Sequence, residues 1–284
     1  MYPILFELPD WLPLVGGAPI TSFGVFMLLS FLTAGYVLRA ELRRKGEDPE
    51  KAWDFVFMAV IGGIIGARLY YVILNFPRFV EDPFGMLFSR GGLVWYGGFL
   101  LATALVVWEA RRQKIPLGLA ADACAPALAL AYAVGRLGCF FVGDDWGRPT
   151  GSWVGIAFPR GTPPTTVDVI ERDFGIAVDP ELIERYGNVV PVHPTQLYEV
   201  GMSTLIFFFL WRIRDRERPA GQLFMIWLAL AGVERFVVEF FRAKDDRFLA
   251  GFTVAQLISL LIVAVGVAGA MRLGARRAAR PATA

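Results

Sequence analysis

Six ionisable side chains sit inside stretches otherwise apolar enough to be buried in a membrane: Arg68, Asp122, Arg136, Glu234, Arg235 and Glu239. Each costs roughly 2.5 to 3.5 kcal/mol at the centre of a membrane helix, so a chain that keeps several must give them partners or a task. The tract Val233-Glu234-Arg235-Phe236-Val237-Val238-Glu239-Phe240-Phe241-Arg242 places Arg235, Glu239 and Arg242 at i, i+4 and i+7, on one face of a helix. Glu239 can hold Arg235 in one rotamer and leave guanidinium donors for another anion, and a planar fork suits phosphate or carboxylate. Arg136, in Gly135-Arg136-Leu137-Gly138-Cys139-Phe140, has glycine neighbours that leave room for a large headgroup or equally for another helix. Asp144 and Gly147 follow in a short polar run. These residue types suit the capture of a phospholipid headgroup at membrane depth; buried Arg/Glu pairs that lock helices together use the same residues.

Two further residues stand at element ends. His193, the only histidine, lies in His193-Pro194-Thr195-Gln196-Leu197-Tyr198-Glu199, where Pro194 fits the first turn of a helix. It is either structural or part of the mouth of a site. Tyr96, in Trp95-Tyr96-Gly97-Gly98 at the outer end of the third segment, is either part of a site or simply an interfacial aromatic. One histidine and two scattered cysteines, Cys124 and Cys139, make no metal-ligand constellation, and no metal is expected.

The elements that must position these groups are membrane helices. The chain has 284 residues, of which 56% are hydrophobic, and a positive mean hydropathy, too apolar for a soluble domain. Crossing about 30 Å of hydrocarbon takes roughly 20 residues. Seven segments qualify, at about 20–38, 53–74, 92–108, 118–142, 196–211, 221–241 and 251–271. Pro3, Pro9, Pro13 and Pro19 and the lack of a basic n-region argue against a cleavable signal peptide, so the first segment is expected to be retained. Net charge is only +2, but its distribution is informative. Arg39, Arg43, Arg44, Lys45 and Lys51 follow the first segment, Arg111, Arg112 and Lys114 the third, Arg212, Arg214, Arg216 and Arg218 the fifth, and Arg272, Arg276, Arg277 and Arg280 form the tail. Positive loops stay in the cytoplasm, which puts the N-terminus outside and the C-terminus inside. The expected fold is therefore an all-α integral membrane protein of about seven transmembrane helices, one polytopic domain over residues 1–284. Residues 143–194 form a small extracytoplasmic cap between helices four and five, with a short strand at 153–158 and an acidic helical stretch at 167–186. Paired small residues, Gly62-Gly63, Gly66, Gly97-Gly98 and Gly135-x-x-Gly138, mark close helix approaches.

Taken together and in order, Gly66-Ala67-Arg68-Leu69, Tyr96-Gly97-Gly98, Asp122, Gly135-Arg136-Leu137-Gly138 with Phe140 and Gly147, His193 to Glu199, and Glu234-Arg235-Phe236 through Glu239 and Arg242 resemble the bacterial prolipoprotein diacylglyceryl transferases over nearly the whole chain. The resemblance implies transfer of the diacylglyceryl group of phosphatidylglycerol to the lipobox cysteine of a preprolipoprotein signal peptide, in the bacterial cytoplasmic (inner) membrane, without cofactor or nucleic acid. It implies that Arg136, Arg235, Tyr96, Glu239 and His193 are catalytic, and that Arg136, Arg235, Gly97, Gly98, Asp144, Gly147, Arg242 and Arg68 hold the lipid. The chain departs from the family pattern at Tyr96, where histidine is better known, at Cys139, Val142 and Asp144, where Asn, Asn and Glu are usual, and at Phe23, where tyrosine is common. These departures leave open a catalytically silent relative that binds an anionic lipid or signal peptide. A secondary transporter would instead show inverted repeats, and none is visible in the sequence.

Overall fold

A computed structural model describes residues 2–11, 17–88, 92–243, 247–249 and 251–278. Pro13 and Arg280 lie outside the described residues. The chain opens with an antiparallel hairpin, β1 (Ile4–Glu7) and β2 (Pro19–Thr21), and continues into α1 (Ser22–Arg44) and α2 (Lys51–Leu74). Two short helices, α3 (Phe76–Glu81) and α4 (Pro83–Phe88), precede α5 (Trp95–Arg112) and α6 (Leu117–Val142). The cap holds α7 (Val167–Phe174) and α8 (Pro180–Tyr186). Then come α9 (Thr195–Ile213), α10 (Gln222–Glu239), the small strands β3 (Arg247–Leu249) and β4 (Phe252–Thr253), and α11 (Val254–Ala278).

Four helices, α1, α2, α6 and α11, are long and apolar enough to cross a membrane by length and composition. Within them 17% of the most apolar window of α1, α2 and α11 is buried, against 44% for α6, which is the most enclosed of the four. Side chains such as Leu28, Ile64, Ile65, Ile73 and Leu261 are exposed, as expected of surface that faces lipid. The remaining long helices cover the other three expected segments but carry more charge. Glu109, Arg111 and Arg112 lie in α5, and Glu234, Arg235 and Glu239 in α10.

The described residues group into two compact units. In the unit spanning 34–124, α2 packs on α5 through small residues: a Cβ at Gly97 would fall on the Gly66 carbonyl and on Tyr70, and one at Gly62 would meet the backbone of Ala102. Backbones this close require glycine. Buried Glu41 and Glu109 in this unit pair with Arg44 and Arg112 at 2.7 and 2.6 Å.

In the other unit, α1 approaches α6 at Gly138, where an added Cβ would come within 2.9 Å of the Phe26 side chain. Ser30 Oγ donates to the Ala131 carbonyl at 2.7 Å. The cap has its own apolar core of Trp146, Phe158, Ile170, Val178, Val190 and Val192. The strand expected at 153–158 does not form as a strand; Ser152 and Gly155 close a turn, and only Ile156 bridges Val192. The acidic stretch at 167–186 is two helices rather than one. Gly175, at φ 65°, ends α7, and Asp179 Oδ1 accepts from the Glu181 amide at 2.9 Å to start α8.

Replacing Gly97 with Leu is expected to destabilise the protein by at least about 1–3 kcal/mol through overpacking against α2. Gly63→Ala, whose Cβ meets nothing within 4 Å, should leave the thermal melt in detergent unchanged. Equal melts for the two variants would contradict this packing.

Candidate functional site

The polar side chains of α6, α9, α10 and the loop after α6 join into one row. Arg136, 8% exposed in the last turns of α6, pairs with buried Glu199 of α9. The other oxygen of Glu199 accepts from Tyr132 Oη at 2.8 Å, one turn before Arg136. Arg136 Nη1 donates to Asp145 Oδ2 at 2.9 Å and lies 3.4 Å from Cys139 Sγ. Asp145 Oδ1 accepts from Arg242 Nη2, also at 2.9 Å. Arg242 Nε lies 3.7 Å from Glu239 Oε2, the same oxygen that sits 2.6 Å from Arg235 Nη1. Thr253 Oγ1 donates to the remaining Glu239 oxygen at 3.1 Å. The row thus reads Glu199, Arg136, Asp145, Arg242, Glu239, Arg235. A turn along α9 from Glu199, Ser203 Oγ lies 2.7 Å from both oxygens of buried Glu234 and ties α9 to α10.

Backbone bonds hold the loop that carries Asp145. Thr195 Oγ1 donates to the Asp145 carbonyl at 2.6 Å and Gln196 Nε2 to the Asp144 carbonyl at 2.5 Å, so the start of α9 grips the loop directly. The Gly147 amide donates to the His193 carbonyl and the Arg148 amide to the Phe241 carbonyl, each at 2.8 Å. A Cβ at Gly147 would strike the Phe241 carbonyl and the side chains of His193 and Thr195, which is a structural reason for glycine there. Asp145 itself has φ 54°, a left-handed conformation that Asp tolerates better than most residues.

The two loop carboxyls differ. Burial pushes the Asp144 carboxyl above the usual range, helped by its neighbour Asp145. Partial burial pushes on Asp145 too, but the Arg242 and Arg136 guanidiniums outweigh it and hold that carboxyl below the usual range. Oxygens of Asp144 and Asp145 and the Cys139 sulfur lie within 4.8 Å of one another, a set that could ligate a cation. Arg136 already faces two of the three, so the local charge opposes a metal ion.

The expected i, i+4 contact between Arg235 and Glu239 is present; α10 ends at Glu239, and Arg242, three residues on, keeps its Nε 3.7 Å from the same carboxylate while its Nη2 reaches Asp145. Of the expected site residues, the row brings together Arg136, Arg235, Glu239 and Arg242, with Asp144 and Gly147 in the loop beside it. His193 borders that loop, its Nδ1 2.9 Å from Tyr198 Oη and its ring 5.1 Å from Phe241. Tyr96, Gly97, Gly98 and Arg68 belong to the other unit. There Tyr96 is exposed and packs edge-on against Trp95, Gly97 and Gly98 are buried against α2, and Arg68 Nη1 donates to the Met86 carbonyl at 3.0 Å. Asp145, Glu199 and Tyr132 were not expected as site residues. Glu199 carried a signal, since it is an acid inside an apolar span.

Long apolar helices with paired charges buried among them define a helical membrane protein. A family model described as Prolipoprotein diacylglyceryl transferase matches residues 9–272. Similar curated proteins named phosphatidylglycerol–prolipoprotein diacylglyceryl transferase include one from Geobacter sulfurreducens, 33% identical with 97% of this chain and 96% of the relative covered. Another, from Burkholderia cenocepacia, is 31% identical with 94% and 95% covered, and one from Clostridium tetani is 26% identical with 94% and 96% covered. The chain belongs to the prolipoprotein diacylglyceryl transferase family, and it is a transferase.

Glu199→Ala should destabilise the fold by up to about 3–5 kcal/mol, because it leaves the buried Arg136 guanidinium with the half-exposed Asp145 in place of two anions, while Glu199→Gln should cost less. A thermal melt that does not move would refute the pairing. His193 supplies a pH-dependent effect. Burial lowers its pKa from the ordinary 6.5, so between 6.5 and the folded value the unfolded chain binds more protons. Its contribution to stability is complete above pH 6.5 and falls as the pH drops through that window. The pH dependence of the melt over this range should flatten in His193→Gln.

Proposed function

We infer that this chain transfers the diacylglyceryl group of phosphatidylglycerol to the cysteine thiol of a prolipoprotein, forming a thioether and releasing glycerol phosphate. The observation that carries this reading, beside the family match, is the charged row that ends on Arg235. Arg235 keeps 35% of its side chain exposed and has a carboxylate behind it, while Arg136 at 10% is enclosed.

The chemistry explains why arginines suit the site. The thiolate sulfur attacks the glyceryl carbon that bears the phosphate ester. The carbon–oxygen bond breaks, and its electron pair goes to the phosphate, whose charge grows from one negative towards two. A guanidinium held in place binds the product-like charge more strongly than the starting diester, so it lowers the barrier and not merely the ground state. Glu239 would orient Arg235 and Glu199 would orient Arg136. The thiol proton must pass to a base, because the thiolate is the nucleophile. Tyr96, at the start of α5, is our candidate for that role. The lipid carries its own leaving group, so the reaction needs no soluble cofactor.

Seven helices, α1, α2, α5, α6, α9, α10 and α11, would span the inner membrane, with the N-terminus outside, the C-terminus cytoplasmic and the cap on the outer side. The charges that make α9 and α10 less apolar are paired in the protein interior, which removes most of the cost of inserting them. The cap would meet the substrate's lipobox as it leaves the membrane. Gly147 and His193 would shape the site through the loop they pack, with Asp144 and Arg242 beside the lipid phosphate; Gly97 and Gly98 would serve by holding α5 against α2, and Arg68 would contact lipid from its own unit.

Purified protein in phosphatidylglycerol-containing vesicles should modify a lipobox peptide. Arg136→Ala and Arg235→Ala should each lower turnover about 10²- to 10³-fold, and Arg235→Lys should not restore it. Tyr96→Phe should abolish transfer if the phenol takes the proton; full activity would remove Tyr96 from the mechanism. A folded wild type that transfers nothing would favour the silent lipid-binding relative.

A further inference from the structure

We propose that Asp145 is a displaceable counter-anion, whose carboxylate holds the place between Arg136 and Arg242 that the lipid phosphate takes during turnover. The proposal rests on the transferase reading and adds to it a residue that sets affinity for the anion.

Three carboxylates share the row, and only one is built to leave it. Glu199 and Glu239 stand on helices, 2% and 5% exposed, and each has a hydroxyl donor fixing its second oxygen, Tyr132 for one and Thr253 for the other. Asp145 stands on a loop with 44% of its side chain exposed, and each of its two oxygens faces one guanidinium at 2.9 Å. Two arginines converging on one two-oxygen anion is also the arrangement that binds a phosphate. A phosphate and this carboxylate would compete for the same donors.

The backbone says how the exchange occurs. The carbonyls of Asp144 and Asp145 are held by Gln196 and Thr195, and Gly147 is held by the His193 carbonyl. The loop is therefore anchored on both sides of Asp145, and the carboxylate leaves by side-chain rotation towards solvent, not by loop opening. Two consequences follow. With no substrate bound, the arginines are neutralised and hold soluble anions weakly. After transfer, the returning carboxylate competes with a product that carries more negative charge than the substrate and would otherwise bind the arginines tightly.

If the carboxylate occupies the site about nine-tenths of the time, the apparent affinity for the competing anion is about tenfold below its intrinsic value. Asp145→Asn should therefore lower both KM for phosphatidylglycerol in nanodiscs and the dissociation constant of soluble glycerol phosphate by about that factor. Turnover at saturation should fall or stay level, and Asp145→Glu should return both constants towards wild type. Should Asp145→Asn fail to fold, Asp145→Gly removes the carboxylate and suits the positive φ. A merely structural role predicts a lower melting temperature with both constants unchanged or weakened, and that result overturns the proposal. Tighter glycerol phosphate with unchanged lipid KM would also overturn it, since the anion site would then lie off the lipid's path. Direct binding of glycerol phosphate separates the two readings: a wild type without transferase activity sinks the transferase reading, while the comparison between wild type and the Asp145 variants still decides this one.

Discussion

A buried guanidinium cannot stand alone in an apolar interior, and most of the site follows from satisfying Arg136. Its first partner, Glu199, must come from another helix, which sets α9 beside α6 and fixes their register. Glu199 in turn has a second oxygen to satisfy, and Tyr132, one turn before Arg136 on α6, supplies the hydroxyl. The arginine's other side needs an anion that no helix offers, and the loop after α6 provides Asp145. One charge placed at membrane depth thus selects a helix neighbour, its rotation and the conformation of a loop.

That loop joins the charged row to the cap. Trp146 belongs to the cap's apolar core, with its indole nitrogen donating to the Pro163 carbonyl at 2.9 Å, while the residue before it holds two arginines. Gly147 lets the chain pass close enough to His193 and Phe241 for two backbone bonds to form. A side chain at that position would push the loop away from α9, and the carboxylate with it. Packing in the cap and charge placement in the helices are therefore one problem, met over the four residues from Asp144 to Gly147.

What could be read from the sequence is what periodicity and insertion cost control. The long helices fall where apolar runs predict them, and Arg235 with Glu239 meets the i, i+4 expectation because both lie inside α10. Arg242 stays beside Glu239 although the helix stops there, and its second contact, with Asp145 on the loop after α6, is one that helical counting does not supply. Asp144 stands at the position where the family usually shows Glu, but it is Asp145 that reaches the arginines. Which of two adjacent carboxylates reaches the arginines depends on a left-handed φ at Asp145, and residue order does not encode that angle. The cap departs from its expected strand for a related reason. Its 153–158 segment has strand-like residues but is closed by a tight turn, whereas the break between α7 and α8 was marked by Gly175 and Pro180.

The row is neutral in sum and polarised along its length. Three arginines and three carboxylates are shared so that Arg136 faces two anions, Glu199 and Asp145, while Arg235 at the other end meets, among the described residues, an oxygen of Glu239 that Arg242 also approaches. The inner end is closed by Tyr132, and the outer end presents a guanidinium that is one-third exposed. Neutrality makes the row tolerable inside a membrane protein, since each charge has its opposite within hydrogen-bond or ion-pair distance. Polarity gives it a direction. An approaching anion meets the most exposed cation first and gains more from each arginine it takes over from a carboxylate. Such an arrangement favours a ligand whose negative charge increases during reaction over one whose charge stays fixed, which is the requirement for stabilising a phosphate leaving group.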